Sequence, residues 1–292
     1  MRVTAFAPAK VNLYLHVTGR RTDGYHLLDS LVAFVDVGDR LIAEPAADFS
    51  LEVSGPEAAS LRLVGDDNLV LRAARALAAH LQISNGAALR LEKHLPVTAG
   101  IGGGSSDAAA TLRALRRLWQ VPVDNAGLQT LAVGLGADVP ACVAGRPVWV
   151  SGIGEGIEAA AELPRAGTLL ANPRRQLPTA AVFAARRGPF SEAARFAPMP
   201  ADAAGLARAL TERRNDLTDA ALGLMPEIGA VLARLAALPG ALLARMSGSG
   251  PTCFALFDSR CAAEEARRTL VAAEPLWWCA AAGFIAAEEL SG

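Results

Sequence analysis

The chain has 292 residues and carries 28 Lys+Arg against 29 Asp+Glu, with 52% hydrophobic and 20% charged residues. That length fits about two domains at roughly 100–200 residues each, and a net charge of −1 leaves no general basic field for nucleic acid or anionic lipid. The longest uncharged stretches, such as 275–287, fall short of the ~18 apolar residues a spanning helix needs; no membrane partner is expected.

Alternation through Leu13, Leu15 and Val17 predicts a strand over 11–17, and a second β-rich run covers 31–37 before a turn at Val37-Gly38-Asp39-Arg40. Short strands at 41–44 and 51–53 follow. The spacing of Leu69, Ala73, Ala76, Leu77 and Leu81 predicts a helix over 68–81, with Asp66 and Asp67 as its N-terminal cap. A strand at 89–91 precedes the glycine-rich segment 99–104, which feeds a helix over 106–119, and another helix covers 125–135. Gly152, Gly154, Gly156 and Pro164 mark a soft boundary in 151–164. Beyond it the pattern predicts a strand at 168–171, helices at 203–210 and 217–238 with a break at Pro226, strands at 241–246 and 253–257, a helix at 262–273 and a last strand at 277–285. Strands and helices in this order fit an α+β protein of two domains, divided as 1–158 and 159–292.

Cys142, Cys253, Cys261 and Cys279 show no C-x-x-C spacing and no neighbouring histidine, so they read as buried thiols rather than zinc ligands. No metal ligand is assigned. Only Lys10 and Lys93 are lysines among the 28 basic residues. In a chain that otherwise uses arginine, they are candidates for positions where a compact ammonium is required. No apolar run resembling a signal-peptide core precedes Lys10, which predicts a cytoplasmic protein.

The strongest local signal is AGIGGGSSDAAATLRAL, 99–115. Gly100, Gly102, Gly103 and Gly104 let the backbone bend and bring its N–H groups to an anion, Ser105-Ser106-Asp107 supply a cap, and the helix start adds partial positive charge. This describes a phosphate cradle. It lacks the Gly-Lys-Ser/Thr of a Walker A loop, and the plain alternative is a glycine turn feeding an amphipathic helix. A second loop, Ser247-Gly-Ser-Gly-Pro-Thr252, is a hairpin whose hydroxyls and N–H groups would also suit phosphates. Asp138, between Gly136 and Pro140 in an uncharged stretch, reads either as a turn or cap residue or as a general base whose proton affinity partial desolvation would raise.

PAKVNLYLHV with DGYH, LPVTAGIGGGSSDAAATL, GADVP and SGSGPTCFAL resemble, in that order and across nearly the whole chain, the GHMP kinases. The resemblance implies a two-domain α+β GHMP kinase fold, its N-terminal half like domain 2 of a ribosomal S5 protein and its C-terminal half ferredoxin-like, with the active site in the cleft between them. It implies ATP as phosphoryl donor, Mg²⁺ to offset phosphate charge, and as acceptor the 2-hydroxyl of a cytidine-diphosphate-linked methylerythritol, in a monomer or homodimer. On this resemblance Asp138 is the general base and Lys10 the cation that orients the hydroxyl. Gly100, Gly102, Gly103, Gly104, Ser105 and Ser106 form the phosphate loop, while Asn68, Leu69 and Lys93 take the adenosine side. Tyr25 and His26, completed by Thr179 and Phe183, clamp the cytosine, and Asn12 belongs to the acceptor side. Another small alcohol, of the mevalonate or homoserine class, and a silent nucleotide-binding module are the alternatives; a module that only binds ATP has no need of an acceptor-side base.

Overall fold

The computed structural model describes residues 1–62 and 68–286. In chain order the elements are β1 (Val3–Arg20), β2 (His26–Ala46), β3 (Ser50–Ser54), α1 (Ala58–Arg62), α2 (Leu69–Leu81), β4 (Gly86–Glu92), α3 (Gly103–Leu118), α4 (Asn125–Val133) and α5 (Val139–Ala144). They continue with β5 (Val148–Gly152), β6 (Gly156–Ala159), β7 (Gly167–Asn172), α6 (Thr179–Ala185), α7 (Ala203–Thr211), α8 (Thr218–Leu224), α9 (Glu227–Ala236), β8 (Leu243–Met246), β9 (Cys253–Phe257), α10 (Arg260–Ala273) and β10 (Trp278–Gly283). Their packing forms two compact units, one of Met1–Ala9, Gly38–Val97 and Gly102–Gly145, the other of Lys10–Val37, Thr98–Ile101 and Arg146–Gly292.

In the first unit the second half of β2 pairs antiparallel with β4, from Arg40 opposite Glu92 to Ala46 opposite Gly86, and β3 lies parallel to β4. The turn expected at 37–40 does not exist; β2 runs straight through it. Gly38 is there because a Cβ would collide with the Ala7 carbonyl of β1, and Asp39 because it meets a buried lysine. Both residue types favour turns in isolation, and here close backbone approach and an ion pair override that preference. α2 buries Val70, Ala73, Ala74, Leu77 and Ala78 on one stripe. Its cap is Asn68, whose Oδ1 accepts the Val70 N–H at 2.9 Å; the expected caps Asp66 and Asp67 lie outside the described residues. α3 packs against both α2 and α5, and its small residues Ala108, Ala109, Ala110 and Ala114 are fully buried.

The second unit is built on an antiparallel sheet of order β10-β7-β9-β8. Leu169, Ala171, Ala255 and Phe257 from its strands meet Ile228, Val231 and Leu235 of α9 and Ala263, Ala266 and Leu270 of α10 in one core. The break at Pro226 separates α8 from α9 as the pattern predicts. The first half of β2 pairs with β5, and β5 turns into β6 through Gly152 and Gly154, both at positive φ. The thiols differ from expectation: Cys142 and Cys253 are buried, Cys261 is exposed and Cys279 half-buried, with no disulfide among the described residues.

Candidate active site

In the first unit the last two glycines of the glycine-rich segment do not precede the helix but start it. α3 begins at Gly103, three residues earlier than the pattern predicts, behind Gly102 in the left-handed region at φ 64°. The Gly102 carbonyl accepts the first helical bond from the Ser106 N–H at 2.8 Å. The N–H groups of Gly103, Gly104 and Ser105 therefore form the first turn, where a helix has no internal acceptors and carries partial positive charge. A Cβ on Gly104 would meet nothing within 4 Å. The cap expected from Ser105, Ser106 and Asp107 is absent, since no side chain caps this helix. Ser106 Oγ instead donates to the Pro8 carbonyl at 2.5 Å, anchoring the first turn to β1.

Asp107 turns inward to Lys93, whose Nζ lies 2.7 Å from Asp107 Oδ2 and 2.5 Å from Asp39 Oδ2. All three side chains are buried. Burial works against the Lys93 ammonium, but the carboxylates of Asp107 and Asp39 outweigh it and hold its pKa above the ordinary value. Asp39 Oδ1 also accepts the His94 and Leu95 N–H groups, at 2.5 and 2.9 Å. Lys93, expected on the adenosine side, instead stands buried behind the helix start with its ammonium directed at two carboxylates, and a Cβ on Gly103 would approach it at 3.2 Å. Nothing in the sequence pattern singles out Asp39; its place after a turn-prone glycine conceals it.

Asp138 occupies the N-cap position of α5, half-buried, with φ −86° and ψ −15°. Its carboxylate makes no cap bond to α5. Asn68 and Leu69, both half-buried, stand at the start of α2 in the same unit.

In the second unit Lys10 Nζ donates to Asn12 Oδ1 at 3.1 Å, and Asn12 Nδ2 donates to Ser30 Oγ at 2.8 Å. Ser30 Oγ in turn donates to the Tyr14 carbonyl at 2.5 Å, while the Tyr14 hydroxyl donates to Asp29 Oδ2 at 2.7 Å. These buried polar groups fix the Asn12 amide, and through it the direction of a buried ammonium. Ser247 Oγ accepts the Asn12 N–H at 3.2 Å and donates to the Gly100 carbonyl at 3.0 Å. Gly100, at φ 72°, packs so closely that a Cβ would lie 2.6 Å from the Ser247 carbonyl oxygen. The loop over 247–252 therefore braces Lys10 and Asn12; its other hydroxyls meet Thr179 Oγ1 (from Ser249, 2.8 Å) and the Asn172 amide (at Thr252, 2.8 Å).

His26 and Phe183 come together as a stacked pair, ring centroids 5.3 Å apart and planes 29° from parallel. Burial, then the charges of Arg20 and Arg186, lower the His26 pKa, which keeps the imidazole neutral at pH 7. Beside it in the chain Tyr25 leaves 62% of its surface exposed. A tyrosine so open is not held there by core packing. Thr179, at the start of α6, meets the Ser249 hydroxyl rather than a ring.

Family models for the GHMP kinases N terminal domain and the GHMP kinases C terminal match residues 68–146 and 199–275. The 4-diphosphocytidyl-2-C-methyl-D-erythritol kinase of Paramagnetospirillum magneticum is 53% identical over 94% of this chain and 96% of its own. That of Cereibacter sphaeroides strain ATCC 17029 is 54% identical over 96% and 99%. A crystal structure of 4-(cytidine 5'-diphospho)-2C-methyl-D-erythritol kinase superposes with a TM-score of 0.78 at 36% identity, covering 96% of this chain and 98% of that one. Homoserine kinase from Cytophaga hutchinsonii, with a TM-score of 0.74 at 19% identity over 98% and 95%, shares the fold. By sequence over nearly its whole length and by the fold of its two units, the chain belongs to the GHMP kinases, in the family of 4-diphosphocytidyl-2-C-methyl-D-erythritol kinases.

Proposed function

We propose that the chain transfers a phosphoryl group from ATP to the 2-hydroxyl of 4-diphosphocytidyl-2-C-methyl-D-erythritol, a step of the non-mevalonate route to isoprenoid precursors, with the residue roles that follow. The observation that carries the nucleotide half is the start of α3, whose first-turn N–H groups have no side-chain cap and where a Cβ on Gly104 would meet nothing within 4 Å. Phosphoryl transfer asks the protein mainly for positioning, charge stabilisation and removal of one proton. The first turn of α3, Gly103 to Ser106, holds the ATP phosphates, with Lys93 positioning that turn from behind. Asn68 and Leu69 take the adenosine side. Asp138 accepts the proton of the acceptor hydroxyl, and Lys10, aimed by Asn12, orients that hydroxyl and steadies the charge that develops on it.

The cytosine is held by Tyr25, His26 and Phe183, with Thr179 at their edge. A flat base calls for an aromatic face and for a donor or acceptor at its rim, and a neutral imidazole stacked on Phe183 beside an exposed Tyr25 has both. Mg²⁺ enters as the counter-ion of ATP: among the described residues no three His, Cys, Asp or Glu side chains cluster as a cage, and Mg²⁺ is commonly bound through substrate phosphates with one or two carboxylates. The division into 1–158 and 159–292 is our functional division of the chain. It falls between the two matched stretches, although β1 and β2 each pass through both compact units. No described helix is long and apolar enough to cross a membrane.

The deciding experiment supplies ATP and Mg²⁺ with a panel of acceptors: the cytidine-linked methylerythritol, mevalonate and homoserine. Acceptor-dependent ADP formation is expected with the first alone. Turnover of either other alcohol at a comparable kcat/KM would leave a GHMP kinase of different substrate, and ATP binding without any turnover would leave a nucleotide-binding module.

A further inference from the structure

The second unit contains a cavity of about 440 Å³ that shares no residue with the proposed nucleotide or acceptor sites. Four arginines line it, Arg186, Arg187, Arg214 and Arg245, together with Asp216 and Asp219. Asp216 is already engaged, 2.6 Å from Arg214 Nε and accepting the Val17 N–H at 2.8 Å.

Arg186 and Arg245 are each 9% exposed, and among the described residues neither has a carboxylate partner. Arg245 donates only to the carbonyls of Leu13, Leu210 and Arg213, at 2.7 to 2.8 Å. Arg186 donates to the carbonyls of Gly188 and Pro189 and lies over the Phe190 ring, while its buried Nε–H has no acceptor among the described residues. Burying a charge is costly unless a counter-charge meets it, and burying a donor without an acceptor adds to that cost. Two nearly buried cations with no direct carboxylate partner on one cavity therefore favour an anion there. Leu232, Ala244 and Pro189 add apolar surface to the same wall.

We propose that this cavity is a second ligand site, which binds a small phosphate monoester with its phosphate against Arg186 and Arg245 and its organic part on the apolar wall. A guanidinium fork matches phosphate oxygens better than any other side chain, and the volume lies in the range of small-molecule pockets. The proposal does not depend on the phosphotransfer reading.

Calorimetric titration of butyl phosphate and of inorganic phosphate into the full chain saturated with ADP tests it, because ADP removes the helix-start site from the measurement. Failure of ADP to bind counts against the kinase reading alone. One equivalent of butyl phosphate is expected, bound at least about tenfold more tightly than inorganic phosphate because buried methylenes contribute. Arg186→Gln should weaken it about tenfold or more, the scale of a lost charge-assisted hydrogen bond. Because Arg186 is buried, that variant can fail to fold. Thr218→Glu, at a half-buried position on the cavity rim at the start of α8, places a tethered carboxylate among the arginines, and should abolish butyl phosphate binding while raising Tm. No heat beyond ADP, equal affinity for the two phosphates, or unchanged binding in either folded variant overturns the site.

Discussion

Lys93 Nζ stands 2.7 Å from Asp107 Oδ2 and is shared with Asp39, so one buried ammonium serves two buried carboxylates directly behind the first turn of α3. Among the described residues the second oxygen of Asp107, Oδ1, has no hydrogen-bond partner. Burial pushes Asp107 up to about 7, with the Asp39 charge adding to the shift and Lys93 opposing it. Removing the cation should therefore be far worse than removing one acid. Lys93→Met is expected to cost about 3–5 kcal/mol in denaturant unfolding, the usual penalty for stranding a buried ion-pair partner. A loss below about 1 kcal/mol would show that water reaches the cluster.

Asp107 also sets a pH dependence whose sign follows from its shift. Its folded pKa, about 7, lies above its ordinary 3.8, so between those values the folded state holds more protons than the unfolded one. Its contribution to stability is then greatest below pH 4 and declines as pH rises through 7. Asp107→Asn cannot ionise. The stability of the parent chain minus that of the variant should fall steadily from pH 4 to pH 7, and a difference that rises over that window would contradict the assignment.

Asp138, whose carboxylate makes no cap bond to α5, is tested with a near-isosteric change. Asp138→Asn keeps size and polarity but cannot accept a proton. The chemical step, read by single-turnover kinetics, should slow by ~10²–10⁴, with ATP affinity little changed. Near-parental rates would return Asp138 to a structural role.

The residues legible in the sequence were those whose chemistry is local. The glycine run, the hydroxyls after it, the two scarce lysines and the uncharged surroundings of Asp138 can all be read in a short window, and so can the 3.6-residue periodicity of α2 and α10. What the sequence concealed depends on partners far along the chain. Gly38 and Asp39 look like a turn until β1 brings the Ala7 carbonyl against one and β4 leads Lys93 to the other. Lys93 is legible as unusual, yet its scarcity cannot say whether the ammonium faces ligand or carboxylate. Ser247 reads as a loop hydroxyl, and only the close approach of Gly100 shows it to be a brace. The short elements α5, α6 and β6 carry too few residues for periodicity to register.

Tyr25 and His26 give the acceptor-side test. Since Tyr25 is 62% exposed, Tyr25→Ala should leave Tm nearly unchanged. Loss of a stacking ring costs ~1–3 kcal/mol, roughly 5-fold to 150-fold in the acceptor's Kd, with ATP binding intact. His26, held below its ordinary pKa by burial and by Arg20 and Arg186, stays neutral above pH 7. Acceptor affinity should be flat from pH 7 to 8 and fall only on acidification below the ordinary histidine range. An unchanged Kd in Tyr25→Ala would remove the clamp and leave the acceptor's recognition elsewhere.

The two central glycines of the helix start should behave differently, and the difference separates binding from folding. A side chain on Gly103 points inward, its Cβ 3.2 Å from Lys93 Nζ and 3.7 Å from Leu95, whereas one on Gly104 points into open space. Blocking of the phosphate is therefore expected from Gly104, although the sequence alone would choose Gly103 as readily. Gly104→Val should stay within about 0.5 kcal/mol of parental stability, as surface changes usually do, and weaken ATP about tenfold or more by placing a β-branched side chain where the phosphate approaches the backbone. Gly103→Val should lose stability as well, since it presses on the Lys93, Asp39 and Asp107 cluster, whose neighbours have little freedom to move. Thermal melts paired with ATP titrations read both effects. If Gly104→Val leaves ATP affinity unchanged in a folded protein, the first turn of α3 is not where the phosphates bind.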